Sequence, residues 1–258
     1  MSDAPVPPNG QLNLPAVRRV TFGRPLAWLY AGWQDMRANP IASIAYGLLF
    51  AIAGDLILLF SWRNPHLFSA AVSGFFLIAP LLAAGLYEIS RRQALGEHST
   101  FIDSLAGWRR NWQSMAMLGL FLALIAIVWE RTSAIMFAFY VPGKLPDLWV
   151  FVSEIVFNAE YRGVTFSWFF VGGSVAMLVF AISAVSAPML INRDVYFISA
   201  ILTSLRAVAR NFDVMMLWAA LVVTLTLTGF ATLLFGLVIL MPLIGHASWH
   251  ACRELVEA

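Results

Sequence analysis

The chain has 258 residues, 60% of them apolar and only 12% charged, against roughly 45–50% and 25% in a soluble domain. That balance excludes an ordinary soluble domain, and a formal charge of +2 is too small to point to nucleic acid as a partner. The one cysteine, Cys252, excludes an internal disulfide. The Pro-rich N-terminus lacks the basic and apolar regions of a cleavable signal peptide. What remains is an all-α integral membrane protein, with room for about six spans of ~20 residues.

Residues 1–22 are rich in Pro and polar groups and are expected to be a disordered tail, and residues 23–258 to form one six-span domain. Leu26, Leu29, Trp33 and Met36 recur at helical spacing while Gln34, Asp35 and Arg37 fall elsewhere. This predicts a short amphipathic helix lying in the membrane interface. Asn39-Pro40 ends it, because the residue before a proline is pushed out of the helical region and Pro40 suits the first position of a new helix. A first span is expected at about 41–61 and a second, through Pro80 and Gly85, at about 69–90, the two forming a hairpin.

A second amphipathic piece follows on Phe101, Leu105, Trp108 and Trp112. The third span, at about 114–130, extends toward Tyr140 beyond a Glu130-Arg131 pair at the far interface. Residues 141–164 are long for a connection and hold Asp147, Glu154 and Glu160, so a surface helix is expected there. The fourth span is placed at about 165–191. A third amphipathic piece on Phe197, Ile201, Leu205 and Val208 follows, and Ser204, off its stripe, is expected to tolerate Asp. The fifth and sixth spans, at about 213–229 and 232–250, are joined by a tight turn near Gly229.

Orientation follows from the basic residues. Arg18, Arg19, Arg24, Arg37, Arg91, Arg92, Arg109, Arg110, Arg193, Arg206, Arg210 and Arg253 fall on one side, leaving Arg63, Arg131, Lys144 and Arg162 on the other. The positive-inside rule then puts both termini in the cytoplasm.

Aligning Asn39, Asn111 and Asn211 brings Leu29, Phe101 and Ile201 together, then Trp33, Leu105 and Leu205, then Met36, Trp108 and Val208. The chain therefore reads as three repeats of amphipathic helix, elbow and transmembrane hairpin, at about 23–92, 99–194 and 195–258. Pro80-Leu-Leu…Tyr87-Glu88…Arg91 and Pro242-Leu-Ile…Trp249-His250…Arg253 also align without gaps, pairing Glu88 with His250. In the middle copy the proline, Pro188, is displaced. Asn is expected at each elbow because it tolerates the left-handed cap of one helix and accepts a backbone N–H at the start of the next.

Ser186-Ala-Pro-Met-Leu-Ile-Asn-Arg-Asp-Val195, Ala200-Ile-Leu-Thr-Ser-Leu-Arg-Ala-Val208 and Met241-Pro-Leu-Ile-Gly-His-Ala-Ser-Trp-His-Ala-Cys-Arg253 resemble the signature of the domain-of-unknown-function 2189 family of bacterial integral membrane proteins. The resemblance spans about residues 15–257 and implies a six-span protein of the bacterial inner (plasma) membrane with no assigned reaction. Members are sometimes labelled cytochrome c oxidase subunit I. That label requires more histidine ligands than the four this chain holds, of which His66 and His98 fall in connections.

No Gly-rich phosphate loop, His-Glu-x-x-His or Gly-x-Ser-x-Gly occurs, so no catalytic residue is assigned and no enzyme activity, metal or cofactor is expected. His246 and His250, one helical turn apart, are the candidates for holding a metal or haem. The alternative is that both sit near the cytoplasmic interface, bonded to backbone or phospholipid. Asp55 falls inside the first span, where charge costs at least ~2.5 kcal/mol and marks a functional candidate. Glu88 lies nearer the basic edge, where an ion pair with Arg91 or Arg92 is expected.

The function expected is that of a non-catalytic scaffold or accessory subunit of a larger membrane complex. Its partners would be the lipid bilayer and other membrane proteins. The alternative is a small-solute or ion transporter with Asp55 on its axis and Glu88, His246 and His250 at its cytoplasmic mouth.

Overall fold

The computed structural model describes residues 14–61, 79, 81–140 and 158–256. Ten helices occur there: α1 (Arg24–Ala38), α2 (Pro40–Ser61), α3 (Ala84–Ala94), α4 (Phe101–Ser104), α5 (Gly107–Arg110), α6 (Trp112–Tyr140), α7 (Arg162–Asn192), α8 (Phe197–Arg210), α9 (Phe212–Ala231) and α10 (Leu237–Leu255). Among the described residues the only β pairing is an isolated antiparallel bridge, Val17 to Val256. Four helical stretches are long and apolar enough to cross a membrane: Pro40–Ile57, Trp112–Tyr140, Ala159–Asn192 and Phe212–Ala231. Most of the expected second span, and the surface helix expected within 141–164 except for its last residues, lie outside the described residues. Residues 159–161 form a short 3-10 turn.

Helices α3, α7 and α10 touch one another at the centre, and α10 also packs against α1, α2 and α9. Each of the three central helices receives a short helix that precedes an elbow: α1 lies on α10, α4 and α5 lie on α3, and α8 lies on α7. Small residues permit these approaches. A Cβ on Gly32 would stand 2.7 Å from the Ala247 backbone nitrogen, and one on Gly107 would stand 2.9 Å from the Glu88 Cβ. In α8 the same task falls to Ser204, whose Oγ donates to the Ala181 carbonyl at 2.7 Å and accepts from the Val185 N–H at 3.2 Å. The expected tolerance of Asp at Ser204 is thus corrected: the residue is fully buried.

The elbows share one geometry. Asn39 has φ −130° and ψ 60°, Asn111 −136° and 54°, and Asn211 −124° and 44°. None is left-handed, so the expected reason for Asn there is wrong. Instead each Asn is buried, its carbonyl accepts the N–H of Ser43, Met115 or Met215, and its side-chain amide reaches a distant stretch of chain. The Oδ1 of Asn39 accepts from the Ser99 N–H at 3.2 Å. Asn111 Nδ2 donates to the Val195 carbonyl at 2.8 Å. Asn211 donates to the Arg18 carbonyl at 2.9 Å and accepts from the Val20 N–H at 2.9 Å. The order is cyclic. The first elbow holds the segment before α4, the second the segment before α8, and the third the segment before α1.

Burial repeats past the elbows too: Ser43, Tyr46 and Phe50, then Met115, Leu118 and Leu122, then Met215 and Trp218 are all buried. Residues 17–20, at the end of the expected tail, are held at both sides, since Arg18 N–H also donates to the Leu255 carbonyl at 2.8 Å.

Two boundaries differ from expectation. The second amphipathic piece is split into α4 and α5, with Thr100 and Asp103 forming a capping box at the start of α4. The last hairpin turns at Thr232–Gly236, where Leu233 and Leu234 take φ of 53° and 67°, a region uncommon for residues with a Cβ. Gly229 does not make that turn; a Cβ there would collide with the Leu237 side chain.

Replacing any one elbow Asn by Ala strands buried backbone partners, at about 1–3 kcal/mol each. Thermal unfolding in detergent should show comparable losses for Asn39→Ala, Asn111→Ala and Asn211→Ala, and little change for the exposed Gln113→Ala. A neutral Asn211→Ala would show that the third clamp contributes nothing.

Candidate functional site

The polar groups inside this apolar chain concentrate where α1, α2, α3 and α10 meet. His246, on α10, is fully buried. Its Nε2 lies 2.9 Å from Ser43 Oγ and its Nδ1 2.8 Å from Ser90 Oγ. Ser43 Oγ donates to the Asn39 carbonyl at 2.8 Å, so its lone pairs face the ring. Each ring nitrogen thus has a hydroxyl partner. The ring is engaged on both sides and ties α10 to α2 and α3.

One turn further along α10, His250 Nε2 meets Asp35 Oδ2 at 2.8 Å. Asp35 lies off the apolar stripe of α1, yet it is 7% exposed, because α1 rests on α10 with that side down. The same contact holds Trp28, whose Nε1–H donates to Glu254 at 2.6 Å, and Arg24, paired with Glu254 at 2.6 Å. A surface groove of about 340 Å³ opens beside them, lined by Arg24, Trp28, His250 and Arg253 among others. Arg253 lies over the Trp249 ring, 5.3 Å from its centroid.

Glu88 is also fully buried. Arg91 grips it bidentately at 2.7 and 2.8 Å, Arg92 reaches it at 3.0 Å and Arg110 at 3.2 Å. The expected ion pair is present with both neighbours, and Arg110 extends it from α3 to α5. Glu130 and Arg131 pair at 3.3 Å. Cys252 is buried with its Sγ 3.5 Å from the Val185 carbonyl, and burial pushes its thiol pKa up to about 12, so it is inert.

Asp55 stands apart. It lies on an exposed face of α2, with no hydrogen bond or ion pair among the described residues. A cavity of about 160 Å³ does occupy the centre, between α2, α3, α7, α9 and α10, but among the described residues its lining holds no charged side chain. Tyr87, Ser183, Thr226 and Ser248 are its hydroxyl groups, with Phe50 and Trp218 at its sides. Neither Asp55 nor His246 borders it.

The two histidines are each held by side chains from other helices. Their ring nitrogens named above face Ser43, Ser90 and Asp35 rather than one another. Sequence reasoning missed Ser43, Ser90 and Asp35 as partners. Ser43 could have been suspected from its place four residues after Asn39; Ser90 carries no local signal.

His246→Leu takes a ring partner from two buried hydroxyls, Ser43 keeping its bond to the Asn39 carbonyl, and should lower the unfolding midpoint. Removing all three polar groups together, in Ser43→Ala/Ser90→Ala/His246→Leu, should be milder than His246→Leu alone. The wild-type protein should show no Soret band, because both nitrogens of His246 are taken; a stoichiometric haem band lost in His246→Ala would overturn the assignment.

Comparison with known proteins agrees with the membrane character of the chain. The family model described as predicted integral membrane protein (DUF2189) matches residues 67–192, from before the second expected span to the end of α7. The Met241–Arg253 motif and the first elbow lie outside it, so the match is shorter than the resemblance read from the sequence. No curated protein and no solved structure matches the chain. Across residues 67–192, the chain is similar to the DUF2189 family of predicted integral membrane proteins.

Proposed function

We propose that this is a non-catalytic protein of the bacterial inner membrane, built from three repeats of amphipathic helix and transmembrane hairpin packed about a pseudo-threefold axis. Its role is that of a scaffold or accessory subunit in a larger membrane complex, with a respiratory complex as the leading case. The observation that carries this reading is the cyclic set of elbow clamps, in which Asn39, Asn111 and Asn211 each hold the segment entering a neighbouring repeat. The buried polar groups support it as well. His246, Glu88 and Asp35 are each engaged in contacts between helices, which makes them fasteners. Large exposed apolar side chains along α2, α6 and α9, such as Leu48, Leu124 and Val223, are the surface that lipid or partner subunits would cover.

A transporter remains the second reading, favoured by the central cavity with its uncharged, partly hydroxylated lining. In this form the solute is small and neutral, and Asp55 is not on its path.

Reporter fusions after Glu97 and Ala258 should read cytoplasmic and one near Lys144 periplasmic; a cytoplasmic signal near Lys144 would defeat the six-span topology. Native purification separates the two functions. A stoichiometric complex with other membrane subunits supports the scaffold, whereas solute-dependent flux in proteoliposomes of the isolated protein supports transport.

A further inference from the structure

Each helix before an elbow turns large apolar side chains outward. On α1 they are Leu26, Tyr30 and Trp33, exposed by 61%, 65% and 40%, and on α4 and the turn after it Ile102 and Leu105, exposed by 77% and 44%. An arginine stands two residues before each of these elbows: at about 100° per residue Arg37 falls within about 20° of Leu26 around α1, and Arg109 lies on α5, just past the turn that carries Leu105. Both arginines are exposed, and neither forms an ion pair among the described residues. Immediately past each elbow the apolar surface resumes with Ile41, 85% exposed, and Trp112, 62% exposed, at the start of the spans.

An uncompensated guanidinium flanked by an apolar ridge and an apolar span matches a phospholipid, whose phosphate stands at the polar end of its acyl chains. Guanidinium recognises phosphate oxygens bidentately. The third elbow breaks the pattern. Ala209 takes the place of the arginine, and Asp213 stands in the first turn of α9, where it repels an anion approaching Arg210.

We propose that the elbows at Asn39 and Asn111 are headgroup sites for anionic membrane phospholipid, with Arg37 and Arg109 on the phosphates, and that the elbow at Asn211 is not. This rests on the reading that the helices before the elbows lie in the cytoplasmic membrane interface.

Native mass spectrometry of the full chain in detergent, with phosphatidylglycerol or phosphatidylcholine added, tests it. Wild type should retain two phosphatidylglycerol molecules in preference to phosphatidylcholine. Arg37→Gln and Arg109→Gln should each weaken one of them about fivefold, the effect of one basic residue at an anionic surface, while Arg210→Gln leaves both. Equal loss in Arg210→Gln, the absence of a phosphatidylglycerol preference, or displacement by inorganic phosphate at the same concentration would overturn the proposal. A spin label on Trp33→Cys, with buried Cys252 left unmodified, separates the two levels of failure. A label in bulk water defeats the interface reading itself, whereas headgroup depth without lipid preference defeats only the arginine sites.

Discussion

A helix that stops and restarts inside an apolar chain leaves backbone donors and acceptors that neither lipid nor core can satisfy. This chain meets that constraint three times, at Asn39, Asn111 and Asn211, and the elbow side chains answer it in one way. The Asn carbonyl starts the next helix while the amide ties down another stretch of backbone. Since the tied stretch always leads into a short helix on a central helix, satisfying local backbone groups also fixes where α1, α4, α5 and α8 lie. Local hydrogen bonding thus becomes long-range architecture.

The three junctions are not energetically alike. Two of them are bridged by the chain itself, through residues 95–100 and 193–196, whereas the junction of α1 and α2 with α10 joins the two ends of the protein without a covalent link. Several polar contacts span it: Asp35 with His250, Ser43 with His246, Trp28 and Arg24 with Glu254, and Arg18 with Leu255. At the positions equivalent to Ser43 the other elbows bury Met115 and Met215. Hydrogen bonds impose register where apolar contact alone permits sliding, so a junction lacking a linker is the one that gains most from them.

What the sequence disclosed follows from what is local. The Asn elbows, the start of α2 at Pro40 and the length of α6 to Tyr140 were legible, because proline stereochemistry and helical spacing act within a few residues. The partners of His246 were not, since Ser43 and Ser90 arrive from other helices. Nor was the turn at Leu233 and Leu234, whose positive φ values carry no glycine to announce them. The elbow Asn was located correctly for the wrong reason: its φ is extended, and its amide serves distant backbone rather than its own cap.

The misreading of Ser204 and Asp35 has a single physical origin. In water, the apolar stripe of a short helix faces the protein, and residues off the stripe face solvent. Beside a bilayer the hydrophobic gain of burying Leu against protein vanishes, because lipid is equally apolar, and close backbone approach through small residues decides which face turns inward. Thus Ser199, Ala200, Thr203, Ser204 and Ala207 of α8 are buried together with Val208, while Ile201 and Leu205 are only partly buried against the core and Ile198 is 49% exposed; on α1 Gly32 and Asp35 face α10 beside Met36, while Leu26 and Tyr30 face out. The stripe identifies these segments as helices in either medium; the inward face is completed by the small and polar residues beside the stripe, which a rule written for water assigns to solvent.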